Sequence, residues 1–209
     1  WAVVSAILAS GLSVSAATSA ASGYWSTGAT WGGSPPGIGE DVVINGGHTI
    51  TADVATASLS SLTNNGTLVF DGWTNILTAT NVTISGNVSH TPNTDVAGPP
   101  WDPDRRVYIV CTNLTVNGSI SADGKGYQGA TSGTYTPGRG PGGGGDAAYG
   151  PPGAGHGGKG GNSKLYGGNG KPIGGGAYDS VTDPADAGSS PGQNQGTAAV
   201  NGGGIVRMV

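Results

Sequence analysis

Apolar and small polar residues alternate through much of the first 120 positions, and glycine interrupts the alternation at regular intervals. Four segments align on those glycines: Ile44-Asn45-Gly46-Gly47-His48-Thr49-Ile50, Leu62-Thr63-Asn64-Asn65-Gly66-Thr67-Leu68, Val82-Thr83-Ile84-Ser85-Gly86-Asn87-Val88 and Leu114-Thr115-Val116-Asn117-Gly118-Ser119-Ile120. From Gly46 the steps run 20, 20 and 32 residues, the last being one ordinary step plus a 12-residue excursion. Period-two alternation predicts strands with one buried face, and glycine fits where the backbone turns. A 20-residue repeat suits one coil of a parallel β-solenoid, in which each coil buries its inner face against the next. No stretch carries a convincing helical period. Thr63, Thr83 and Thr115 take equivalent places and are expected to stack in a column. Such a column suits ordinary strands and, as a minor alternative, an ice-binding face. Asn45, Asn65 and Asn117 precede coil glycines and are expected in turns.

The first residues follow a related pattern. Val4, Ala6, Leu8, Leu12, Val14 and Ala16 fall on alternate positions, as on a half-buried strand. Residues 1–22 therefore read as an apolar leader. Trp1, Val4, Leu8, Leu12 and Val14 are candidates for contact with a neighbouring subunit through a donated strand. An own-domain strand or the remnant of an export signal are the alternatives, since Val14-Ser15-Ala16 resembles a signal-peptide end. The run is too short for a membrane span of roughly 20 apolar residues, and the chain is not expected to be transmembrane.

Composition divides the chain near Ser121. All five tryptophans lie before it, and 29 of the 43 glycines lie between Ala122 and Gly204. Residues 23–121 are expected to form the solenoid coils, 122–204 a glycine-rich insertion packed on them or on neighbours, and 205–209 a returning strand. Ordering each backbone residue costs about 1–2 kcal/mol. The few apolar side chains of 122–204 cannot offset that by burial, so an ordered insertion must rest on dense backbone hydrogen bonds and close chain approach. Its prolines favour extended, polyproline-II-like geometry, without the strict triplet period of collagen. Within it, Gly153-Ala154-Gly155-His156-Gly157-Gly158-Lys159 imitates a phosphate-binding loop. Gly160 stands where that loop needs Ser or Thr, and neither flank reads as strand or helix, so no nucleotide is expected. A net charge of −4 without a basic run gives nucleic acid no electrostatic handle. Cys111, alone in the chain, reads as a small residue of a buried strand, with an intermolecular crosslink as the alternative.

The segment Trp25-Ser26-Thr27-Gly28-Ala29-Thr30-Trp31-Gly32-Gly33, followed by Pro35-Pro36-Gly37 and Glu40-Asp41-Val42-Val43-Ile44, resembles the opening of the extracellular domain named for its eight glycines. Leu114 to Tyr127, together with Gly202-Gly203-Gly204-Ile205-Val206, resembles secreted glycine-rich surface proteins of bacteria. The resemblance implies export and an all-β fold, a right-handed parallel β-helix interrupted by a long glycine-rich insertion. It implies no catalytic signature.

The best candidate for chemistry is the excursion within 93–106. There Trp101 offers a face for a sugar ring, and Asp102, Asp104 and Arg105 offer groups for its hydroxyls. The duller reading is a proline-stiffened turn with Trp101 packed down and the arginines neutralising the aspartates. His48, His90 and His156 are far apart in sequence and no metal or other cofactor is expected. Five Asn-x-Ser/Thr sequons, at Asn65, Asn81, Asn87, Asn113 and Asn117, arise easily in such a composition. The expectation is a secreted, non-enzymatic structural subunit of an extracellular filament, sheath or surface layer. It would assemble head to tail with copies of itself as a homopolymer. A carbohydrate-binding or polysaccharide-cleaving module, with polysaccharide as partner, is the alternative.

Overall fold

The computed structural model describes residues 16–129, 136–145, 150–163, 173–180, 182, 185–193 and 200–209. The leader candidates Trp1, Val4, Leu8, Leu12 and Val14 lie outside the described residues. Eleven strands follow in order: β1 (Ala17–Thr18), β2 (Gly23–Tyr24), β3 (Asp41–Ile44), β4 (Thr49–Ala52), β5 (Ser58–Asn64), β6 (Thr67–Phe70), β7 (Leu77–Ile84), β8 (Asn87–His90), β9 (Val107–Val116), β10 (Ser119–Ile120) and β11 (Val206–Met208). The described residues contain no α-helix, only a 3-10 turn at Gly28–Trp31.

The fold is all-β with two parallel sheets. One runs β1-β3-β5-β7-β9-β11 and the other β2-β4-β6-β8-β10, so the chain changes sheet at every strand. Residues one rung apart are locked in register: Val42 on Leu62, Leu62 on Val82, Val82 on Leu114. Inward positions form a continuous apolar core that includes Val42, Ile44, Leu62, Leu68, Val82 and Ile84. Each such side chain contributes about 1.5–3 kcal/mol by leaving water. In β7 the strict alternation breaks at Thr80 and Asn81, two successive exposed residues, which marks a bend within the strand. The β11 strand pairs only with Val107–Ile109 of β9, which leaves Val116 45% exposed on the uncovered half of that strand.

The threonine column is present, with Thr63 beside Thr83 and Thr83 beside Thr115. Side chains also bond from rung to rung. Ser61 Oγ donates to Asp41 at 2.6 Å, Asn113 Nδ2 to Asn81 Oδ1 at 2.8 Å, and Ser119 Oγ to Asn87 Oδ1 at 2.7 Å. The turn glycines stack less uniformly than the spacing suggests. A methyl group on Gly86 would strike the Gly66 carbonyl, and one on Gly118 the Gly86 carbonyl. Gly46 instead belongs to a wider turn, Asn45 to His48, against the two-residue turns Asn65–Gly66, Ser85–Gly86 and Asn117–Gly118. Gly66 sits over the Asn45 and His48 carbonyls. Fully buried Asn64 braces this stack, accepting from Gly66 N at 3.2 Å and donating to the Asn87 carbonyl at 3.0 Å.

The described parts of 122–204 are held as their composition requires, by backbone hydrogen bonds between glycine-rich segments. Gly126 N donates to Gly202 O at 2.8 Å, Gly188 N to Gly203 O at 2.8 Å, Gly155 N to Gly142 O at 2.8 Å and Gly160 N to Gly175 O at 2.9 Å. A second small core gathers Tyr127, Ala187 and Ile205, with Trp73 and Trp101 packed against it. His90 joins the two parts. Its Nδ1 donates to the Thr91 carbonyl at 2.7 Å, so Nε2 is free to accept from Ile205 N at 3.2 Å. Burial, the largest influence, pulls the His90 pKa below its ordinary value, which keeps the ring neutral as this bonding requires.

Candidate functional site

The segment between β8 and β9, residues 91–106, leaves the stack where the repeat lengthens. Its polar residues are tied to one another. Asn93 Oδ1 accepts from Asp95 N at 2.9 Å, Asp95 accepts from Ala97 N at 3.2 Å and from Asp102 N at 2.8 Å, and Asp104 accepts from Thr94 N at 3.0 Å and from the Thr94 hydroxyl. These are short Asx-type closures that fix a loop with little apolar content. Asn93 is fully buried, its backbone N–H donating to Lys125 O and its carbonyl accepting from Gln128 Nε2 at 2.8 Å, so the loop is also seated on the insertion.

The four candidate residues occupy different surroundings. Trp101 lies edge-on to Tyr127, ring centroids 5.5 Å apart at 73°, and it also packs on Gly98, where a methyl group would collide with the indole. Trp101 is half-buried, packed against the small core of Tyr127, Ala187 and Ile205. Asp102 is exposed, and its backbone N–H, not its carboxylate, makes the loop bond. Arg105 is the hub. Its Nε lies 2.9 Å from Asp71 Oδ1 and 3.0 Å from Thr91 Oγ1, and its Nη1 lies 3.0 Å from Asp104 Oδ2. Asp71 directly follows β6, so Arg105 ties the loop back to that strand of the stack. The loop thus brings Asp104 and Arg105 together and leaves Asp102 apart from them.

Several groups that sequence reasoning did not single out carry more of the local chemistry. Arg106 Nε donates to the Trp73 carbonyl at 2.8 Å, and its guanidinium lies 4.2 Å from the Trp73 ring centroid and 4.4 Å from that of Tyr108. Arg207 stands on Tyr108 at 5.7 Å. Behind the loop, buried Tyr127 donates its hydroxyl to Asp186 at 3.1 Å. Burial raises the pKa of both, Asp186's carboxyl being lifted above the usual range and Tyr127's hydroxyl held protonated. Tyr178 is pushed to about 12, chiefly by burial, and donates to the Ala187 carbonyl while Ser189 Oγ donates to it at 2.9 Å. No residue spacing announces the Tyr127–Asp186 contact, because the two lie 59 positions apart.

In the glycine loop 153–161 four amides are engaged: Gly153 N bonds Gly161 O, Gly155 N bonds Gly142 O, His156 N bonds Gly158 O and Gly160 N bonds Gly175 O. Those four donors, spent on carbonyls, are not aimed at a phosphate. His156 Nε2 stands 3.3 Å from Asp179 Oδ2, within ion-pair distance but without hydrogen-bond geometry. Burial pushes the Asp179 pKa up, but amide donors from Ala185, Asp186 and Ser180 outweigh it and leave the pKa lowered. Among the described residues no group of three or more His, Cys, Asp or Glu side chains is placed to hold a metal ion. Nor is any helix there long and apolar enough to cross a membrane.

The Gly28–Trp31 turn places Trp31 against Trp25 at 4.9 Å and leads into β3 to β8 with their glycine turns. Residues 30–91 match the family model of the G8 domain. The matched segment begins in that 3-10 turn and ends just after β8, so it takes in β3 to β8 and stops short of Trp101, Asp102, Asp104 and Arg105. No curated protein and no solved structure matches the chain.

Proposed function

We propose that this chain is a secreted, non-enzymatic structural module, a right-handed parallel β-helix with a glycine-rich insertion, that assembles head to tail with copies of itself into an extracellular filament, sheath or surface layer. The observation that carries the reading is the in-register rung ladder, in which sheet pairing, side-chain bonds and glycine turns all repeat along one direction. A stack of that kind offers backbone donors and acceptors along its axis, and association that does not close on itself yields a fibre. The G8 match supports an extracellular setting. The reactive side chains support a structural role, since Asp104, Arg105, Asp179, Tyr127 and Tyr178 are all bonded within the fold.

A carbohydrate contact at Trp101, Asp102, Asp104 and Arg105 has thinner support, because only Asp102 presents a carboxylate outward. Negative-stain electron microscopy of the purified chain, as concentration and incubation time rise, tests the proposal. Filaments or extended arrays are the expected result. Monodisperse single particles throughout, together with polysaccharide binding abolished by Trp101→Ala, would replace it with the carbohydrate reading.

A further inference from the structure

Five Asn-Gly pairs occur in the chain, beginning at Asn45, Asn65, Asn117, Asn169 and Asn201. In such a pair the glycine amide nitrogen can attack the asparagine side chain, because the glycine carries no side chain to obstruct the approach. The attack needs a glycine N–H that is free of other acceptors and a backbone with room to swing. Asn169 lies outside the described residues. The fold treats the other four differently.

Three of them are locked. Gly66 N donates to Asn64 Oδ1 at 3.2 Å, Gly118 N to Ile84 O at 2.9 Å and Gly202 N to Tyr127 O at 3.0 Å. Each of these glycines also lies hard against backbone: Gly66 over the Asn45 and His48 carbonyls, Gly118 over that of Gly86 and Gly202 over that of Gly188. The fourth pair is open. Gly46 N has no acceptor among the described residues. A methyl group on Gly46 would meet only Asn65 O, at 3.8 Å, and one on Gly47 would meet nothing within 4 Å. Both glycines are exposed, as the wider turn from Asn45 to His48 allows. The one restraint is on the side chain, where Asn45 Nδ2 donates to Ser19 O at 2.8 Å. Breaking that bond frees a turn, whereas the other three sites require backbone packed on backbone to move.

The same bond belongs to a clamp. Asn45 N donates to Ser19 Oγ at 2.9 Å, His48 Nδ1 lies 2.8 Å from that oxygen, and Ser19 N donates to Val43 O at 2.9 Å. Together they hold the segment that follows edge strand β1 onto β3. We infer that Asn45 is a deamidation site of the folded chain, and that its conversion releases β1. Gly46 N forms a bond to Asn45 Cγ, the Cγ–Nδ2 bond breaks, and Nδ2 leaves as ammonia with the proton that Gly46 N gives up. Water then opens the cyclic imide. Opening at Cγ leaves aspartate; opening at the backbone carbonyl leaves an isoaspartyl link with Cβ in the main chain. Neither product donates to Ser19 O, and a carboxylate now stands where that donor was.

Incubation of the whole chain at mildly alkaline pH, followed by peptide mapping and enzymatic methylation of isoaspartyl groups, tests the inference. In the folded chain Asn45 is expected to convert about tenfold or more faster than Asn65, Asn117 and Asn201, each of which must first open locally. In urea the four rates are expected to converge. Asn45→Asp is expected to speed hydrogen exchange at the Ser19 amide and leave that of β7 unchanged. None of these readouts depends on whether copies of the chain associate. Folded Asn45 converting no faster than the other three, or the same ranking persisting in urea, would overturn the site. Unchanged exchange at Ser19 in Asn45→Asp would overturn the release of β1.

Discussion

Replacing Gly86 by alanine tests whether glycine in this molecule serves close backbone approach. The new Cβ would lie within 3.0 Å of the Gly66 carbonyl oxygen and 2.9 Å from the Asn65 carbonyl, distances that real methyl groups essentially never adopt. Those obstacles are backbone, so no side chain can swing aside. Relief requires the rungs to separate, and separation strains Asn87 N to Gly66 O at 2.8 Å and Gly86 N to Asn64 O at 2.9 Å. Overpacking costs about 1–3 kcal/mol. A buried backbone group left unpaired adds about 1–3 kcal/mol. Alanine's smaller unfolded-state entropy returns only about 0.4–1 kcal/mol. The net expectation is a destabilisation of about 1–5 kcal/mol. Gly157→Ala is the matched control, since a methyl group there meets nothing within 4 Å, and it should fall within about 0.5 kcal/mol of the parent. Urea unfolding followed by circular dichroism measures both. Equal midpoints for the two variants would refute the close-approach argument.

His90 should make the join between rungs and insertion acid-sensitive. Its folded pKa is depressed below 6.5, so its contribution is complete above that pH and is lost as pH falls from 6.5 through the lower folded value. His90→Leu should remove this part of the pH dependence and cost about 1–3 kcal/mol at neutral pH for the orphaned Ile205 amide, read by thermal melts across the pH range. Arg105→Ala should cost about 1 kcal/mol, because its ion pairs with Asp71 and Asp104 are partly exposed. High salt should recover much of that loss in urea midpoints; a loss unchanged by salt would mean that packing, not charge, is what Arg105 supplies.

What the sequence alone determined was the repeating part. Alternation at period two and glycines at steps of 20 and 32 carry the register directly, because in a strand the side-chain period and the rung length are properties of consecutive residues. Hence Thr63, Thr83 and Thr115 could be placed in one column before any coordinates. Even there, the wider turn at Asn45–His48 displaced Gly46 from the glycine stack, since two extra residues change the turn without changing the pattern. What only the tertiary structure decided lies where the chain has no period. In the glycine-rich part the backbone itself makes the contacts, and a donor such as Gly126 or Gly188 carries no side chain to advertise its partner. The covering of Trp101 by Tyr127, the two carboxylates shared by Arg105, and the clamping of Arg106 between Trp73 and Tyr108 depend on which distant segments fold back. A sequence fixes which residues can pair along a strand, but not which of many equivalent glycine segments will lie beside them.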